Sequence, residues 1–301
     1  MRSKTHVPIS WLSGFLALLL ALSLAAQGGA GTAWTVRLQS VPPLYSVTHG
    51  GGQFVAVGVD GTILTSPDGV SWRARTSGTG NTLLAVTHGG GQFVAVGEGG
   101  TILTSPDGVS WTPRASGTGD WLYGVTHGGG QFVAVGEGGI ILTSPDGAAW
   151  TLRTSGTGND LEAVTPGGGQ FVAVGKWGTI LTSPDGAAWT QRTSGTGNWL
   201  YGVTHGGGQF VAVGEGGTIL TSPDGVVWTA WALGTGNDLY GVAYGNGTFV
   251  AVGEDGIILT SPDGATWTQR TSGTGNGLYG VTHGGGQFVA VGEKAIVLTS
   301  L

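Results

Sequence analysis

No cysteine occurs anywhere in the 301-residue chain. Its absence excludes disulfide cross-links, thiol catalysis and sulfur-ligated metal sites, and it excludes a lipid anchor attached through cysteine. Charge is also scarce: Asp, Glu, Lys and Arg make up 9% of the residues, and the net charge is -6. Long helices laced with charge pairs are not available from such a mixture. Neither a basic stripe nor a polybasic segment is present, so nucleic acid and anionic lipid lack electrostatic support as partners. What remains is 63 glycines, 12 tryptophans and a hydrophobic fraction of 40%. That is enough apolar surface to fold, and it suits many short β-strands joined by glycine turns.

The first 33 residues stand apart. Arg2 and Lys4 form a positive start, and the run from Phe15 to Ala26 is apolar except for Ser23. Small residues follow, with Ser23-Leu24-Ala25 and Gly31-Thr32-Ala33 as two cleavage contexts. The run is shorter than the roughly 20 residues of a membrane span. Residues 1–33 are therefore expected to be a signal peptide, the alternative being an uncleaved anchor, and the protein is expected to be exported: secreted, periplasmic or at the cell surface.

Internal repetition governs the rest. Gln-Phe-Val-Ala-Val-Gly starts at Gln53, Gln92, Gln131, Gln170, Gln209 and Gln287, with a variant at Thr248, so each step is 39 residues, as from Gln53 to Gln92. Ser-Pro-Asp-Gly begins at Ser66, Ser105, Ser144, Ser183, Ser222 and Ser261 on the same period. Seven units result. Each holds four short apolar or Thr-rich stretches broken by glycine turns, which predicts four strands and no room for a helix. Several stretches are apolar at consecutive positions, as in sheets covered on both faces. The last unit stops at Ile296-Val-Leu-Thr-Ser-Leu301 without its fourth strand, while Trp34-Thr-Val-Arg-Leu resembles that missing strand. Residues 34–301 are thus predicted to form an all-β, seven-bladed β-propeller of four-stranded blades, closed by the N-terminal strand. Ser46, Ala85, Gly124, Ala163, Gly202, Gly241 and Gly280 hold one column of the first strand, as a crowded central channel requires.

Ser-Pro-Asp-Gly suits a type I turn: Pro presets φ, and the Asp carboxylate accepts nearby backbone N–H groups. Structural roles are accordingly expected for Asp68, Asp107, Asp146, Asp185, Asp224 and Asp263. Four residues after each comes a tryptophan (Trp72, Trp111, Trp150, Trp189, Trp228 and Trp267), expected to cover the hairpin and pack between blades. Ser-x-Asp-Gly-x-x-Trp resembles the Asp-box, or BNR, repeat of sialidase-type propellers, and is similar also to the repeats of photosystem II assembly and stability propellers. The likeness covers residues 34–301 and lacks one residue of the fuller Ser-x-Asp-x-Gly-x-Thr-Trp pattern. It implies a structural Asp turn between the third and fourth strands.

A sialidase likeness would imply an arginine triad around the axis. Here Arg37, Arg75, Arg114, Arg153, Arg192 and Arg270 all fall on the outermost strand, and the Arg-Ile-Pro motif is missing. The repeated rim arginines read as protection of an exposed edge. Asp160 and Glu162 are the one acid pair at a turn-to-strand junction, and a degenerate glycoside hydrolase acting through them is the enzymatic alternative. His49, His88, His127, His205 and His283 come one per blade and are expected to be turn residues, with no metal or other cofactor. Stretches such as Gly50-Gly51-Gly52 precede no helix, which removes a phosphate-loop reading.

Variation concentrates on one side of the ring, where the second-to-third and fourth-to-first connections fall. Glu98, Glu137, Glu215, Glu254 and Glu293 follow the Val-Gly there, but the fourth unit has Lys176-Trp177, close in sequence to Asp160 and Glu162, with Trp121 and Trp199 on neighbouring connections. Exposed tryptophan beside mixed charge on the loop side of a rigid ring suits a binding surface. The functional expectation is a monomeric, non-enzymatic binding or scaffold propeller that recognises a glycan or protein partner through Trp121, Asp160, Glu162, Lys176, Trp177 and Trp199. A photosystem II assembly factor-like role is the further alternative.

Overall fold

A motif written seven times gives seven four-stranded antiparallel sheets. The computed structural model describes residues 31–38, 42–231 and 236–300; residues 1–30, which hold most of the expected leader, lie outside the described residues. In the first blade Leu44–Gly50, Gln53–Gly58, Ile63–Ser66 and Arg73–Arg75 run in that order from axis to rim. The first strands neighbour one another right around the axis, and Leu44–Gly50 meets Leu278–Gly284 to close the circle. In the seventh blade Thr35–Leu38 pairs antiparallel with Val297–Ser300, Thr35 opposite Thr299. The predicted latch is in place.

The consecutive apolar positions have a direct cause. Along the second strand, side chains alternate between two faces, and both faces are buried. Phe54 and Ala56 join Val289, Val291 and Val297 of the seventh blade, whereas Val55 and Val57 join Leu83, Val86 and Phe93 of the second. The core therefore lies in the seams between blades. Trp111 packs against the Val55–Leu83 seam and Trp150 against the next one, as expected from their spacing after the Asp turn.

The Asp turn also forms as anticipated. Asp68 Oδ1 accepts the N–H groups of Val70 and Ser71 at 2.9 and 2.8 Å, and the Trp72 indole donates to the Gly69 carbonyl at 2.9 Å. These bonds from the Ser71 and Val70 amides hold the Asp68 carboxyl below its usual range. A second contact was not legible in the motif. Gln53 Nε2 donates to the Asp107 carbonyl of the next blade at 2.6 Å, and Gln92, Gln131, Gln170 and Gln209 repeat the bond onward to Asp146, Asp185, Asp224 and Asp263. Gln287 carries it across the closure to Asp68 at 2.7 Å. Each of these turns is thus clasped by its neighbour.

Removing residues 34–38 should leave the seventh blade with three strands and bare the outer edge of Val297–Ser300. Thermal unfolding and light scattering of that variant should report a large loss of stability and association through the bared strand. A monodisperse protein with unchanged melting would contradict closure by the latch.

Candidate functional site

The second-to-third connections share one backbone device: a single 3-10 turn whose middle residue is left-handed. That residue is glycine in three blades, Asp60, Asp255 or Lys294 in three others, and in the fourth blade Trp177, at φ 58°. A side chain is strained there by roughly 1–2 kcal/mol. The strain is not recovered in a core, because Trp177 is 65% exposed. Its ring meets Trp199 edge to face at 6.0 Å. Lys176 Nζ lies 4.5 Å from the Trp199 ring centre and 2.6 Å from Asp160 Oδ2, the one ion pair among the described residues. Asp160 Oδ1 also accepts the Gly138 amide of the third blade at 2.8 Å, a bridge that Asp238 repeats to Gly216.

Asp160 is therefore engaged, not half of a free carboxylate pair. Burial works to raise its pKa, but the bonds from Lys176 and the Gly138 amide, with the Lys176 charge, bring it below the usual value. Lys176 is raised, chiefly by its bond to Asp160. Trp121, 43% exposed, lies apart from the Trp177–Trp199 pair, and its ring contact is with Tyr123 at 6.4 Å.

Glu162 is not on the tryptophan patch. Every first strand carries a bulge after its leucine, with the pairing skipping from Leu161 to Ala163 in the fourth blade and likewise in the others. A bulge re-aims the side chain it holds. The bulged residues are Tyr45, Leu84, Tyr123, Glu162, Tyr201, Tyr240 and Tyr279, and together with the predicted small residues beside them they line the axial channel. Glu162 thus replaces an aromatic of the ring, a signal readable by the same column-by-column comparison that singles out Trp177. Burial, with the Asp160 charge adding and the Lys176 charge opposing, pushes its carboxyl up to about 7. The tyrosines touch in series: Tyr201 to Tyr240 at 5.5 Å, Tyr240 to Tyr279 at 5.4 Å and Tyr279 to Tyr45 at 5.3 Å. Trp199 joins this series through Tyr201 at 6.3 Å.

No family model matches the chain, and no curated protein matches its sequence. Solved structures do match in shape. YCF48 from Cyanidioschyzon merolae superposes with a TM-score of 0.72 at 18% identity, over 89% of this chain and 98% of that one. YCF48 bound to D1 peptide gives 0.71 at 21% identity, over 89% and 96%. Virginiamycin B lyase from Staphylococcus aureus, a catalytically inactive variant with quinupristin, gives 0.74 at 12% identity, over 89% and 100%. The likeness is one of fold.

On the opposite side of the ring the histidines are packing residues. His49 packs tilted against Phe54 at 4.6 Å, and His88 packs edge to face against Phe93 at the same distance. His88 also fills the space over Gly50 of the preceding blade, where any Cβ would collide with its ring. Burial lowers the pKa of His49 and His88, with the charges of His127 and His49 adding to the latter. No group of three or more His, Asp or Glu converges for a metal among the described residues. The rim arginines are occupied too. Arg75 Nε donates to Thr65 Oγ1 at 2.8 Å, and in the fifth blade, which lacks the arginine, Trp231 donates to Thr221 at 2.8 Å.

Because the Glu162 carboxyl is raised in the folded state, folding favours its proton. The resulting stability is full below the unfolded value near 4.5 and is lost as pH climbs towards 7. Glu162→Gln should leave stability unchanged at pH 4 and raise it by about 1–3 kcal/mol at pH 8. Denaturant titrations at the two pH values check this, and an equal effect at both would contradict the assigned environment.

Proposed function

We propose that this chain is a non-enzymatic binding propeller that takes its partner on the loop face of blades four and five, through Trp177, Trp199, Lys176 and Asp160. One observation carries the reading: a tryptophan 65% exposed on a loop, set edge to face against a second tryptophan beside an ion pair. A large apolar ring left in solvent on the loop side of a rigid scaffold is characteristic of residues kept for contact with another molecule. Lys176, fixed between Asp160 and the Trp199 ring, gives the patch a rigid polar edge beside its apolar face. A protein segment is the favoured partner over a glycan, supported by the propeller of like fold, YCF48, that has been solved with a D1 peptide. The net charge of -6 and the thinly spread bases do not favour a photosystem assembly role. Export is part of the proposal. Of the two cleavage contexts, Ser23-Leu24-Ala25 is the one that retains Gly31, whose carbonyl accepts the Trp34 indole at 3.0 Å.

A hydrolase is the second reading, favoured by the opposite displacement of two neighbouring carboxyls, Asp160 down and Glu162 up. Against it, Asp160 is held by Lys176 and Gly138. Turnover of aryl glycosides or sialosides that disappears in Glu162→Gln would establish it in place of the binding reading.

The comparison that tests the proposal sets Trp177→Gly and Trp177→Ala against Trp150→Ala on peptide and glycan arrays and in thermal melts. Trp177→Gly relieves the left-handed strain and should melt no earlier than the parent while losing about 1–3 kcal/mol of affinity. Trp150→Ala should cost about 3 kcal/mol of stability by emptying a seam, with affinity intact below its melting point. Early melting of the Trp177 variants would make that ring a packing residue and remove the site.

A further inference from the structure

We propose that the mouth of the axial channel is a binding site for an alkylammonium group, held between the Glu162 carboxylate and the tyrosines that complete its ring. The site goes beyond the loop-face reading and does not depend on it.

The geometry has three parts. Bulges at the same place in all seven first strands turn one side chain per blade into the channel, and five of the seven are tyrosine. The cavity they line is about 200 Å³, room for a small headgroup or the tip of one side chain and not for a folded segment. Within this ring of hydroxylated aromatics stands one carboxylate, and among the described residues no hydrogen bond or ion pair engages it. The nearest base, Lys176, is committed to Asp160 and lies over Trp199.

A half-buried carboxylate without a partner is costly, and a charge of opposite sign is what would offset it. The surrounding field has the sign to attract one. Besides their own burial, the charges of Asp160, Glu162 and Glu137 raise Tyr123, and those of Asp238, Glu215 and Glu162 raise Tyr201. Further round, burial and then the charges of Asp238, Glu254 and Glu293 raise Tyr240, while burial and Glu293 raise Tyr279 to about 12. The tyrosines line the cavity together with Glu162, and aromatic rings with one carboxylate favour an organic cation. A metal ion would need several oxygen ligands converging on it, whereas Glu162 is a single carboxylate. A neutral sugar would leave the charge uncompensated.

The ammonium can belong to a small molecule or to a lysine side chain of a protein, and the probes separate these. Choline and Nα-acetyl-lysine amide would be titrated into the full chain by calorimetry at pH 8, with 3,3-dimethylbutanol as the neutral isostere of choline. Saturable binding of at least one cation, without binding of the isostere, is expected; choline alone would assign a small-molecule source, and the lysine amide alone or both a protein side chain. Glu162→Gln should weaken it about tenfold or more. Glu162→Tyr, which restores the residue of five other blades, and Tyr201→Leu, which copies Leu84, are folded controls built from the ring's own alternatives, and both should weaken binding. Trp177→Gly should leave cation binding unchanged, so loss of the loop-face site and loss of this one are told apart. Absence of saturable cation binding, equal binding of the isostere, or full affinity in Glu162→Gln would overturn the proposal.

Discussion

The seam between blades is the contact on which everything else depends. A single blade of four short strands has no interior of its own; Val55 and Val57 are buried only because Leu83 and Phe93 stand opposite, while Phe54 and Ala56 need the seventh blade on the other side. Apolar burial is therefore shared pairwise round a circle, and no blade is complete until its two neighbours are present. That requirement explains why Phe-Val-Ala-Val recurs unchanged in all seven second strands of a chain whose loops differ. It also explains the split seventh blade. Strand Thr35–Leu38 supplies the rim strand that the seventh unit lacks and ties the N-terminal strand to Val297–Ser300 in one sheet.

A scaffold stabilised in this way leaves its loop face and its axis free to vary. Three-residue turns hold the backbone of each second-to-third connection in the same shape whether the middle residue is Asp60, Gly99, Trp177 or Lys294. Chemistry can change there without the core noticing. The fourth blade shows two such changes, at the turn and at the bulge, and they face different spaces: Trp177 looks outward beside Trp199, and Glu162 looks into the channel. A series of ring contacts runs from Trp177 through Trp199 to Tyr201 in the channel and on through Tyr240 and Tyr279 to Tyr45.

The architecture was legible in the sequence because its causes are periodic. A 39-residue step, four strands per step and a displaced fourth strand specify blade number, strand order and closure together. Trp177 and Lys176 were legible as departures from their column, and the ion pair of Lys176 with Asp160 follows from opposite charges on adjoining connections. Glu162 was read as a loop acid because nothing in one strand's residues announces a bulge, a one-residue slip that appears only when two strands are paired. The glutamine clasps were hidden for a similar reason. Gln53 and the Asp107 carbonyl lie 54 positions apart, and the acceptor is backbone, which carries no residue signature.

Those clasps are not uniform, and the exception falls where the ring was joined. The sixth unit has Thr248 in place of glutamine, and the seventh, assembled from both chain ends, has no Ser-Pro-Asp-Gly for a glutamine to grip. Across that seam Asn246 reaches the Gly286 carbonyl at 3.4 Å, a long bond beside the 2.6–2.7 Å clasps elsewhere. A ring of nearly equal joints with one weaker joint has a built-in point of first rupture. Opening there would leave all seven blades clasped in series from the seventh, through Gln287 and the first, to the sixth, giving a nearly symmetric molecule a direction in which it comes apart.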